Sequence, residues 1–63
     1  MDGTERINIK PGILVTVIQK QDQRSGKTTK GVVESVLTNS QSHPHGIKVR
    51  LESGVVGRVK NIL

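Results

Sequence analysis

The sequence predicts an all-β domain of four to five antiparallel strands, folded as a strongly bent sheet or a small barrel. Three observations carry that expectation. Ile47, Val49 and Leu51 alternate with Lys48, Arg50 and Glu52, the period-two signature of a half-buried strand. Turn residues at Pro11-Gly12, Asp22–Lys27, Asn39–Gly46 and Ser53-Gly54 cut the chain into strand-length pieces. Nowhere do aliphatic residues recur cleanly at three and four positions over ten or more residues, so no helix is expected.

Met1–Arg6 has no periodicity and is expected to form a flexible N-terminus, with residues 7–63 as one domain. Ile7–Lys10 leads into Pro11-Gly12, and the proline biases Lys10 toward an extended backbone. Ile13–Gln19 is β-branched and bounded by turns, and forms the first strong strand. Val15 and Val17 are its expected inward pair. Leu14 and Ile18 on the opposite face are also apolar, which leaves the assignment open.

The polar segment Asp22–Lys27 is a hairpin loop, and Thr28–Thr38 is the second strand. Val33 and Val36 are three apart, so both face inward only if the strand carries a bulge near Glu34-Ser35. Asn39–Gly46 is a second loop, and a C-terminal hairpin follows. A two-residue Ser53-Gly54 turn would set Val49 against Arg58, mixing core and cation on one face. A three-residue Glu52-Ser53-Gly54 loop pairs Leu51 with Val55, Val49 with Gly57 and Ile47 with Val59. It also puts Gly54 in the left-handed position that such loops favour. Asn61-Ile62-Leu63 ends the sequence with two apolar residues, Ile62 and Leu63, that must cover something.

Composition bounds the function. The 63 residues include nineteen Val, Ile and Leu but no Phe, Tyr, Trp or Cys. Without cysteine there is no disulfide, thiolate metal site or cysteine nucleophile, as suits a reducing compartment. No charged start precedes an apolar run of roughly 7–15 residues, and no run approaches the roughly 20 needed to span a bilayer. The expectation is a cytoplasmic monomer with no membrane contact. Ten Lys and Arg against five Asp and Glu give a net charge of +5, which favours anionic partners.

The cations concentrate on the last hairpin. Its three-residue loop sets Lys48 across from Arg58, with Arg50 and Lys60 nearby. Like charges directly opposite are destabilising, so the cluster is a candidate anion-binding face. It also reads as a solvated surface screened by salt. His43 and His45 of the His43-Pro44-His45-Gly46 loop would add charge to that face below their usual pKa of about 6.5.

Other motifs carry less. Gly26-Lys27-Thr28 looks like the end of a phosphate-binding loop, but that motif needs a glycine where Gln21 stands. Two histidines with no cysteine and no third histidine do not make a zinc site, so no metal or other cofactor is expected. The five acidic residues are scattered, and Ser35, Ser40 and Ser42 have no triad context beyond the loop histidines. A non-enzyme is therefore expected, with no catalytic residues. Lacking Phe, Tyr and Trp for base stacking, the chain would contact RNA through phosphates, 2′-hydroxyls and hydrogen bonds. The leading expectation is binding of RNA or a ribonucleoprotein through Lys48, Arg50, Arg58, Lys60, His43 and His45. The alternative is a protein–protein interaction module for an acidic partner.

Lys10-Pro11-Gly12 followed by Val15 and Val17, then Gly31-Val32-Val33, resembles the KOW-like and SH3-like barrels of translation and transcription proteins. Lys20–Lys30 with Gly31-Val32-Val33, Leu37-Thr38, His43–Leu51 and Gly57-Arg58-Val59 resembles the YwbE family of small bacterial proteins. That likeness covers nearly the whole chain. It implies the boundaries and a single domain, but transfers no activity and no site residues; the SH3-like barrel as fold class is what the first likeness implies.

Overall fold

A computed structural model describes residues 3–63 as four antiparallel strands closed into a small SH3-like barrel. The strands are β1 (Leu14–Ile18), β2 (Thr29–Val36), β3 (Lys48–Leu51) and β4 (Val56–Ile62). Each pairs with its sequence neighbour, and β4 closes the barrel against β1. The helical content among the described residues is two single 3-10 turns, Arg6–Asn8 and Lys20–Asp22.

The alternating pattern becomes the core. Val15, Val17, Val33, Ile47, Val49 and Leu51 are fully buried, and Ile9 and Val59 nearly so. The inward assignment of Val15 and Val17 therefore holds, while Leu14 on the other face of β1 is exposed. Gly31 leaves space that Leu51 fills, since a Cβ there would stand 2.6 Å from Leu51 Cδ1. So narrow a barrel closes only where a missing side chain lets a large one cross.

Two bulges bend the sheet. The β2–β3 register shifts between Val33 and Ser35, which turns both Val33 and Val36 toward the interior as the spacing requires. The other lies between β1 and β4, where Thr16 pairs with Asn61 but Val17 pairs with Val59. Lys60 is the extra residue, and Lys60 and Asn61 are consecutively exposed.

The last hairpin has the three-residue register. Val49 faces Gly57 and Lys48 faces Arg58. Leu51 N–H bonds the Val55 carbonyl at 2.8 Å, and Gly54 has φ +93°. The final strand runs to Ile62, which pairs with Val15 and packs against the core, whereas Leu63 remains 63% exposed.

Of the six residues expected to form a loose terminus, Met1 and Asp2 lie outside the described residues. Gly3–Arg6 runs antiparallel to the second long loop. Ile47 N–H donates to the Gly3 carbonyl at 2.7 Å, His43 N–H to Thr4 at 2.9 Å and Arg6 N–H to Gln41 at 2.8 Å. Gly3 is buried because its Cα packs directly on Val59.

Candidate nucleic-acid interface

The candidate surface lies on the β3–β4 hairpin, where register and pleat together put the cations on the outer face. Lys48 and Arg50 alternate with buried Val49 and Leu51 along β3. Arg58 alternates with buried Gly57 and Val59 on β4, flanked by Lys48 on one side and Ile18 on the other. Among the described residues no carboxylate lies within 4.0 Å of any of these cations. Among the described residues these cations therefore form no ion pair.

Arg58 differs from the other three. Lys48, Arg50 and Lys60 are exposed, whereas Arg58 is half-buried. Its guanidinium Nη1 donates to the Gly46 carbonyl oxygen at 3.0 Å. Alternation alone assigns Arg58 to solvent; this hydrogen bond turns it toward the histidine loop.

That loop is shaped by its own backbone. Gly46 N–H donates to the His43 carbonyl at 3.0 Å, closing a four-residue turn around Pro44 and His45. Gly46 has φ +101°, and a Cβ there would collide with the Val59 carbonyl oxygen, so only glycine lets the turn lie on β4. Inside the turn His45 N–H donates to His43 Nδ1 at 3.1 Å. That acceptor role puts the proton of neutral His43 on Nε2. Partial burial, then the charges of Arg58 and His45, hold the His43 pKa below its ordinary 6.5.

Beside the turn is a half-open cleft of about 810 Å³. His43, Pro44, His45 and Gly46 line it from the loop, and Arg58, Val59 and Lys60 from β4. Gly3, Thr4, Ile18 and Gln23 complete it. The six basic and imidazole residues singled out from the sequence thus fall into two groups. His43, His45, Arg58 and Lys60 share the cleft, while Lys48 and Arg50 continue the charge along β3 outside it. Gln23, Ile18 and the Gly3-Thr4 segment are contributors that sequence reasoning missed. Their place depends on β4 closing against β1 and on an N-terminal pairing that has no periodic signature.

Among the described residues no three of His, Cys, Asp and Glu come together as a metal-binding group. No helix among them is long and apolar enough to cross a membrane.

A family model described as "Uncharacterized conserved protein (DUF2196)" matches residues 2–62. The chain is also 51% identical over 63 residues to the "Uncharacterized protein YwbE" of Bacillus subtilis (strain 168). That match covers 100% of this chain and 97% of the relative. The chain belongs to the YwbE (DUF2196) family. No solved structure matches it. The residues matched to the YwbE family take in all four strands, the histidine turn and the residues that line the cleft.

Proposed function

We propose that this YwbE-family chain is a non-catalytic module that binds RNA, alone or in a ribonucleoprotein, through the outer face of β3 and β4. The observation that carries this reading is the direct opposition of Lys48 and Arg58, in a hairpin whose cations have no carboxylate partner among the described residues. A like-charge cross-strand pair works against folding, and a bound polyanion reverses the sign of that term. Phosphate oxygens supply that charge at regular intervals along any RNA, without regard to sequence.

The non-catalytic part rests on the chemistry of the cleft. No serine, cysteine or carboxylate lines it among the described residues, and His43 Nδ1 is already engaged by a backbone N–H. Thr4 brings the cleft's hydroxyl, and among the described residues no hydrogen bond from it to either imidazole and no carboxylate that would orient a histidine base accompany it. As an RNA binder the chain would act in the cytoplasm, as a monomer.

The test is a fluorescence titration of a labelled RNA hairpin at several salt concentrations, with wild type and with a Lys48→Gln, Arg50→Gln variant. Affinity should fall steeply with salt, and the variant's slope should be smaller by roughly one unit for each phosphate it no longer engages. Equal affinities and equal slopes would make the face a solvated surface. An acidic protein partner would then be the better reading. Each of β1–β4 already pairs on both sides, so such a partner would engage side chains rather than a strand edge.

A further inference from the structure

Resting on the RNA-binding reading, we infer that the cleft beside the His43–Gly46 turn takes one unpaired nucleotide of that RNA. Its base lies against the imidazoles and Pro44, and its phosphate lies on Arg58 and Lys60. The cleft's volume of about 810 Å³ falls within the roughly 300–1,000 Å³ typical of small-ligand sites. A nucleotide fits that space and a duplex does not. Base-paired RNA can lie only across the outer face.

The chemistry selects the same occupant. The chain has no Phe, Tyr or Trp, so its planar faces for stacking are imidazole rings and guanidinium groups. Both of its histidines line this one cleft, with Arg58 beside them. Unpaired bases stack on histidine rings and arginine planes, whereas paired bases are already stacked on each other. The two ring centroids stand 5.7 Å apart with planes inclined at 49°, which forms an open corner rather than a closed stack. A base lies against one ring and meets the edge of the other.

Each neighbouring group has a defined part. The His45 N–H bond on Nδ1 leaves His43 with an Nε2–H donor for a base or ribose oxygen. One Arg58 N–H is held by Gly46, which fixes the guanidinium plane and leaves its other donors for a phosphate. The bulge at Lys60 adds a second cation at the same rim, and the Gln23 amide offers both a donor and an acceptor to a base edge.

Two RNA hairpins with the same stem test this, one fully paired and one carrying a single bulged nucleotide. They are titrated against wild type, Lys48→Gln, and a double variant with His43→Asn and His45→Ala. Asparagine at 43 keeps an oxygen to accept the His45-position N–H while removing the ring. Wild type should bind the bulged hairpin roughly tenfold tighter, the range expected for one stacked base. The double variant should lose that preference, and Lys48→Gln should weaken both hairpins alike.

Equal wild-type affinity for the two hairpins, or a preference that survives in the double variant, would overturn the inference and leave phosphate binding intact. Binding to neither hairpin would overturn both readings. Should the double variant lose its folded amide spectrum, adenosine monophosphate added to wild type decides. Amide shifts at His45, Gly46 and Lys60 support the cleft, and unchanged positions there overturn it.

Discussion

The guanidinium of Arg58 donates a 3.0 Å hydrogen bond to the carbonyl oxygen of Gly46, joining the outer face of β4 to the turn that carries both histidines. The same residue stands opposite Lys48 across the hairpin. Two opposing effects therefore meet in one side chain. Loss of a part-buried, charge-assisted hydrogen bond costs about 1.5–3 kcal/mol, whereas relief of an exposed like-charge pair returns only about 0.2–1 kcal/mol. Arg58→Gln should lower the thermal midpoint by several degrees, and Lys48→Gln should leave it unchanged or slightly raised. Thermal unfolding of the two single variants checks this; equal midpoints would mean the Gly46 bond contributes nothing.

Two glycines with left-handed backbones should respond differently to alanine. Gly54, at φ +93°, has open space around it, so Gly54→Ala costs only the backbone conformation, about 1 kcal/mol. Gly46 adds a collision with the Val59 carbonyl to a similar φ. Gly46→Ala should cost several kcal/mol and should also displace the histidine turn. Denaturant unfolding of the pair would contradict this if the two losses were alike.

Gly31 and Leu51 share one volume inside the barrel. Gly31→Ala alone overpacks it and should cost about 1–3 kcal/mol. Leu51→Val alone leaves a gap and should cost on the order of 1 kcal/mol. Combined, the two should cost clearly less than their sum, because each removes what the other lacks. A double-mutant cycle that proved additive would mean the residues do not compete for the same space.

How much of this was legible in the sequence depends on the range of the interaction. The hairpin register follows from three nearby facts: the alternation of Ile47, Val49 and Leu51, the need for a glycine in its turn, and the separation of Val49 from Arg58. The Glu34 bulge follows from the spacing of Val33 and Val36. By contrast, nothing local announces that β4 extends to Ile62 to close on Val15, or that the barrel needs a second bulge at Lys60. The pairing of Gly3–Arg6 with the second loop runs through backbone groups, which every sequence possesses. Basic residues could be counted in advance. Their division between cleft and open face could not, because it depends on where Arg58 finds its acceptor.

His43 sets a pH dependence with a definite sign. Its pKa is below 6.5 in the folded chain, so the folded state takes up the proton less readily than the unfolded state. The contribution is fully present above about pH 6.5 and is lost as pH falls through the folded value. Protonation at Nδ1 also removes the acceptor for His45 N–H. His43→Asn keeps an acceptor and does not titrate, so its thermal midpoint should fall less than that of wild type between pH 7.5 and 5 (roughly the span around the free histidine value). Parallel profiles for the two proteins would contradict the assignment.

If RNA lies across the β3–β4 face and reaches the cleft, amide chemical-shift mapping of the wild-type protein with an RNA hairpin shows it most directly. The perturbed amides should cluster at His43–Gly46, Lys48–Arg50 and Arg58–Lys60, with Pro11-flanking residues and the exposed Leu14–Leu63 end unchanged. Perturbations centred on Leu14 and Leu63, or none at saturating RNA, would contradict it.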